Sequence, residues 1–204
     1  MSYQLHQTEG IVLRRWPRGE GDALLRVYTK DYGGITLLAK GIRLEKSKLR
    51  GAVDVYSHAQ IGFVAGKEIY RLTYAVTEGE HARLYQDLAR FRACGYVADV
   101  FGHAVRDGEP DLGLWQVLEE AFSFFSGDAF SEKHLGIALR SFEVKFVKQM
   151  GYLPEAMPRS ARVLETSPLG AVLNAITLRD MNELVLFLRP LLYTVHADVE
   201  DVVH

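Results

Sequence analysis

The apolar residues of this 204-residue chain change period once, at Thr77-Glu78-Gly79-Glu80, and that break limits the folds open to it. Before it, short apolar runs alternate with glycine-rich turns. The runs are Gly10 to Arg14, Ala23 to Thr29, Ile35 to Lys40, Val53 to Val64 and Ile69 to Val76. Trp16-Pro17 with Gly19-Glu20-Gly21-Asp22 ends the first, Asp31-Tyr32-Gly33-Gly34 the second, and Ala65-Gly66-Lys67 separates the last two. Alternation at period two sends successive side chains to opposite faces of a strand. Five such strands suit a small closed barrel such as an OB-fold, and pattern alone leaves an SH3-like barrel open.

After the break the period is helical. Leu84, Leu88, Phe91, Ala98, Phe101 and Val105 share one face, and Asp107-Gly108-Glu109-Pro110 breaks that helix. Leu114 to Phe125 predicts a second helix. Ser131 is an N-cap candidate for a third, with Leu135, Leu139, Phe142, Phe146 and Met150 inward and Gly151 and Pro154 at its end. Pro154 to Ser167 reads as loop, and Pro168 as the first residue of another helix. Thr177 and Asp180 have capping-box spacing for a last helix through Tyr193, which Pro190 is expected to kink or shorten. The expected organisation is α+β: a five-stranded barrel over 1–80, then an α-helical domain over 81–204.

The net charge of -2 conceals two unlike halves. Residues 1–80 hold twelve Lys/Arg against nine Asp/Glu, and residues 81–204 hold twelve against seventeen. Between Arg14 and Arg50 there are ten bases and four acids. Lys40, Arg43, Lys46, Lys48 and Arg50 crowd one inter-strand segment with a single acid, Glu45, and Gly41 and Gly51 near its ends. A flexible basic segment of this kind can follow a phosphate backbone, releasing counterions without reading sequence. Arg14, Arg15 and Arg18 add to that field if they share its face. Trp16, Tyr28 and Tyr32 are interleaved with the bases, and single-strand binders stack bases on such rings. The bland alternative is a solvated loop with Tyr28 in the barrel.

Other chemistry is weakly supported. Gly62 to Glu68 lacks the glycine spacing and the Ser/Thr of a phosphate loop and reads as a hairpin. Seven histidines without ligand spacing and one cysteine, Cys94, make no metal site. Cys94, among apolar neighbours, reads as a packing residue. Glu119-Glu120 and the acids of Asp198 to Asp201 read as solvated charge. No catalytic residue and no cofactor are expected. Met1 to Gly10 lacks the basic-then-apolar order of a secretory signal, and no run is long enough to span a bilayer, so a cytoplasmic place is expected.

The order of these features resembles the RecO family of bacterial recombination mediators. The resemblance is carried by Glu9-Gly10-Ile11-Val12-Leu13, Gly19-Glu20-Gly21-Asp22, Thr29 to Gly34, Ala39-Lys40-Gly41-Ile42-Arg43 and Lys46-Ser47-Lys48-Leu49-Arg50-Gly51. Leu139 to Glu143 and Gly151-Tyr152-Leu153-Pro154 add to it in the second half. It implies an OB-fold followed by helices, binding to single- and double-stranded DNA, and annealing of complementary strands. It also implies work beside RecR and the single-strand-binding protein SSB so that RecA can load, in a nucleoid-associated setting. Arg140 is then a candidate contact for the SSB tail, with an ion pair to Glu143 on its own helix as the alternative. Two departures stand out. The four-cysteine zinc module of many relatives is missing around 155–166, and the chain ends in acids rather than bases. An RNA-binding barrel or a protein-interaction adaptor without annealing activity remains the competing function.

Overall fold

The computed structural model describes residues 4–47, 49, 51–66, 69–77, 82–174 and 176–200. The first strands form as the alternation requires: β1 (Leu5–Arg18), β2 (Asp22–Thr29), β3 (Gly33–Ala39), β4 (His58–Val64) and β5 (Tyr70–Thr77). They close into a barrel in the order β1-β2-β3-β5-β4, with β3 and β5 parallel and the other pairs antiparallel. This is the OB-fold arrangement. Ala23, Leu25 and Val27 of β2 point inward with Ile35, Leu37 and Ala39 of β3, and Ile61, Phe63 and Leu72 complete the core.

Two strand boundaries differ from the sequence reading. β1 is far longer than the run from Gly10 to Arg14, because it serves two partners in succession. Leu5 to Ile11 pair with β4, and Gly10 to Arg18 pair with β2, with an irregularity between Val12 and Arg14 at the changeover. Pro17 lies where β1 has only one neighbouring strand, so its missing N–H breaks no second ladder. β4 starts at His58 rather than Val53. The intervening residues turn: Ser57 N–H donates to Asp54, Tyr56 N–H donates to Val12, and Tyr56 holds a φ of 71°.

The chain forms two compact units. The first contains residues 1–82 and also 105–115, a return that a single boundary near residue 80 does not describe. Within that unit Gly34 and Asp107 make a parallel bridge, Gly108 N–H donates to Gly34, and Arg26 pairs with Asp107. Gly33 (φ 62°) runs so close to the Glu109 backbone that any side chain there would collide with it. His58 meets the Trp115 ring edge-on at 5.6 Å.

The described residues of the second unit, 83–104 and those from 116 to 200, are mainly helical. Its described helices are α1 (Ala82–Gln86), α2 (Leu88–Ala104), α3 (Leu112–Ser126), α4 (Leu135–Gln149), α5 (Arg159–Thr166) and α6 (Leu178–Glu200), with α1 and the first residues of α3 overlapping the other unit. The helix expected across Leu84 to Val105 is broken at Asp87, whose carboxylate accepts from Ala89 and Arg90 N–H and so caps α2. Leu88, in that exposed first turn, is not a core residue. Arg90 then donates to the Phe125 and Gly127 carbonyls at the end of α3 and covers the Phe130 ring.

Ser131 does not cap with its side chain. A single 3₁₀ turn, Glu132–His134, precedes α4. The stretch read as loop contains α5, which buries Ser160, Ala161 and Leu164 against α4 and α6. Pro168 lies outside a one-turn 3₁₀ segment, Leu169–Ala171, rather than at the first position of a helix. The capping box forms as spaced: Thr177 N–H and hydroxyl donate to Asp180, and Asp180 N–H donates to Thr177. α6 continues past Pro190 to Glu200. Among the described residues, no helix is long and apolar enough to cross a membrane.

Candidate nucleic-acid interface

The basic segment is more fixed than its glycines suggest. Ile42 and Val53 are fully buried in the barrel core and anchor it near both ends, and Leu49 packs beside them. Gly41 takes a φ of 64°, and its N–H donates to Asp22 Oδ1 at 2.7 Å. Arg43 N–H donates to the Gly21 carbonyl at 2.9 Å, and its guanidinium reaches the Gly19 carbonyl at 3.1 Å. Successive turns, Leu44 to Gly41 and Ser47 to Leu44, carry the backbone onward. The segment is therefore tied to the β1–β2 turn.

This places Arg18, Lys40, Arg43 and Lys46, all exposed, at the end of the barrel where β1 stops and β3 leaves. Glu20 and Glu45 are the exposed acids among them. Lys48 and Arg50 lie outside the described residues. Trp16, 43% exposed, stands opposite Leu24, which stands opposite Leu38, which stands beside Arg71. Paired residues share a face. The outer wall of β1, β2, β3 and β5 therefore carries an indole and two leucines ending in an exposed arginine. Arg71 escapes sequence reading, because its row exists only through the parallel β3–β5 pair.

Other candidates are placed elsewhere. Arg14 is half-buried and already engaged, across from Arg26. Arg15 sits opposite the buried Leu25 and donates to Asp54 at 2.5 Å, so its charge is largely spent within the protein. Tyr28 cannot stack on a base. It is fully buried, its hydroxyl reaches the Asp111 carbonyl at 3.5 Å, and burial pushes its pKa up to about 12. Tyr32 lies in the turn before β3, whereas Lys40 follows its end, so a strand length separates them. It exchanges a hydrogen bond with His6 at 3.2 Å and sits edge-on to Phe63.

In the helical unit Arg140 is bound to Glu143 at 2.5 Å, the local pairing open to it in sequence. Glu143 has no exposed surface and also accepts from the Tyr96 hydroxyl. Burial outweighs the arginine's pull and raises the Glu143 carboxyl to about 7. A tail carboxylate arriving at Arg140 would have to compete with Glu143. Cys94 is buried, and burial pushes its thiol well above the usual range. Among the described residues no cluster of His, Cys, Asp and Glu has metal-holding geometry.

Residues 1–79 match the family described as "Recombination protein O N terminal". The chain is 27% identical over 150 residues to the DNA repair protein RecO of Moorella thermoacetica, covering 74% of this chain and 54% of that protein. Against the namesake of Gloeothece citriformis the identity is 31% over 115 residues, 56% of this chain and 41% of the relative. Against that of Roseiflexus sp. it is 25% over 179 residues, 88% and 59%. The chain thus spans little more than half the length of the curated relatives it matches.

Proposed function

We propose that the chain acts as a RecO-family protein, its residues 1–79 matching that family's amino-terminal domain, and that it binds single- and double-stranded DNA in recombinational repair. In this reading it anneals complementary strands and assists recombinase loading without a catalytic centre of its own. The observation that carries the proposal is the basic end of the barrel. Arg18, Lys40, Arg43 and Lys46 are exposed together, and Trp16 is exposed on the adjoining wall. Cations held by a pinned loop neutralise phosphates, and an exposed indole can stack on an unpaired base. Lys48 and Arg50 join them in the proposal, and the half-buried Arg14 and Arg15 contribute field rather than contacts. RecR and SSB are the proposed partners, RecA an indirect one, and the nucleoid the proposed place of work. Arg140 remains a proposed SSB-tail contact that must first be released from Glu143.

The test is a titration against single-stranded DNA at several salt concentrations, with strand annealing measured alongside. Binding that weakens steeply with salt, together with accelerated annealing, supports the reading. RNA preferred over DNA, without annealing, would replace it with an RNA-binding barrel. No binding of either nucleic acid would leave a protein adaptor.

A further inference from the structure

The helix α6 carries apolar side chains on two opposite sides, and only one of them is used. Leu184, Leu188 and Val195 are fully buried, and the first two pack with Ile137 and Val144 of α4 and Ala161 and Leu164 of α5. The other side faces solvent, yet Leu178 is 87% exposed there, Leu186 and Tyr193 76% each, and Val185 43%. Single apolar residues scattered over a surface need no explanation. These four are aligned. At 3.6 residues per turn, positions 178, 182, 185, 186, 189 and 193 fall on one side of the helix, in a strip about 22 Å long.

The strip reads the same from both ends. Leu178, Asn182 and Val185 run apolar, polar, apolar toward a centre between 185 and 186, and Tyr193, Arg189 and Leu186 do the same from the other end. Asn182, Glu183 and Arg189 are all exposed, and neither charge has an ion pair or hydrogen bond among the described residues. A surface that meets its own copy across a two-fold axis must complement itself, residue i touching j and j touching i. An antiparallel pair of α6 helices centred between 185 and 186 sets Leu178 against Tyr193 and Val185 against Leu186, twice each. The same register brings each Arg189 beside Asn182 and Glu183 of the second copy, so both unpaired charges find a partner. A parallel pair would instead set Arg189 against Arg189, and like charges repel.

We propose that this face of α6 is a self-association surface, on which a second copy of the chain docks antiparallel. A single helix strip falls short of the roughly 800 Å² per partner of a standard interface, so the pair is weak and reversible. The inference goes beyond the DNA reading and does not rest on it.

The test is sedimentation equilibrium of the full chain, without DNA, over a rising series of concentrations. The expected result is a reversible monomer–dimer equilibrium. Leu186→Glu should abolish it over the same range, with a melting curve that matches the wild type because Leu186 is exposed. Glu183→Arg and Arg189→Glu should each weaken the dimer about tenfold, since two attractive pairs become repulsive. Mixing those two variants should restore association, because the mixed pair sets arginine against glutamate at both contacts; the double variant Glu183→Arg/Arg189→Glu should restore it as well. Replacing Lys40, Arg43 and Lys46 by Ala should leave the dimer unchanged, so this inference and the DNA reading can fail separately. A chain that stays monomeric throughout would overturn the proposal and leave the face to a different protein. A dimer insensitive to Leu186→Glu would overturn it too, and so would single charge variants that stay weak when mixed.

Discussion

The two ends of the barrel are built from the same strands and carry opposite charge. Where β1 stops and β3 leaves, Arg18, Lys40, Arg43 and Lys46 are exposed around a loop pinned by Ile42 and Val53. Where β3 begins, Asp31 and Asp107 edge a groove with Tyr32 and Tyr70. One barrel therefore presents a basic surface to an anionic polymer at one end and an exposed carboxylate, Asp31, at the other. A net charge of -2 reports neither, because the field a ligand meets is set over about a Debye length rather than over the whole chain.

The sharpest way to break this contrast is at the basic end. Replacing Lys46, Lys48 and Arg50 by Ala should reduce the slope of log K against log salt by about 2 units on single strands. At 0.1 M salt that amounts to roughly a hundredfold loss of affinity, the same for unrelated sequences. Stability should move by no more than about 0.5 kcal/mol. Unchanged slope with unchanged affinity would make the loop a solvated one. Lost binding with a lowered melting temperature would make it a structural one.

A second expectation concerns a carboxylate at neither end. Glu143 in the helical unit has its pKa raised to about 7 by burial, above its ordinary 4.5. Between those values the folded state holds more protons than the unfolded state, so stability falls as pH rises. Thermal melts should show a loss of roughly 2 kcal/mol between pH 5 and pH 8 from this group. Glu143→Gln should flatten that dependence while DNA binding at the basic end of the barrel persists. A variant with the wild-type pH profile would show that Glu143 is not the group responsible.

The outer wall gives two smaller tests. Trp16→Ala should weaken single-stranded DNA by roughly tenfold and duplex less, since only an unpaired base can stack fully on the indole. An equal loss on both would assign Trp16 to packing. Tyr28→Phe should leave DNA affinity unchanged and lower stability by about 1 kcal/mol through its lost hydroxyl contact. A drop in affinity there would mean that the wall over Tyr28 opens when DNA binds.

What could be read in advance was local. Ala23, Leu25 and Val27 alternate because one wall of a strand faces a core, and Thr177 finds Asp180 three residues away on the first turn of its own helix. What could not be read depended on partners distant in sequence. Trp16-Pro17 looks like a terminator until β1 is seen to change neighbours. Arg15 looks like a free cation until Asp54 arrives, and Arg71 looks unremarkable until β5 lies beside β3. Tyr28 alternates as an outward residue, and so it is; residues 105–115 then cover it. α5 went unseen because eight residues give little more than two turns of periodicity.

The return of residues 105–115 to the first unit also sets a timetable. A chain made from its amino terminus completes all five strands before Asp107, Asp111 and Trp115 exist. The outer wall at Tyr28 and His58 must therefore wait, uncovered, while the first two helices are synthesised. At roughly 5–20 residues per second, that wait lasts some seconds. For that interval the nascent barrel is a closed sheet without its outer cover, a natural place for a chaperone to act. A gene truncated after the fifth strand would leave the molecule in that unfinished condition permanently.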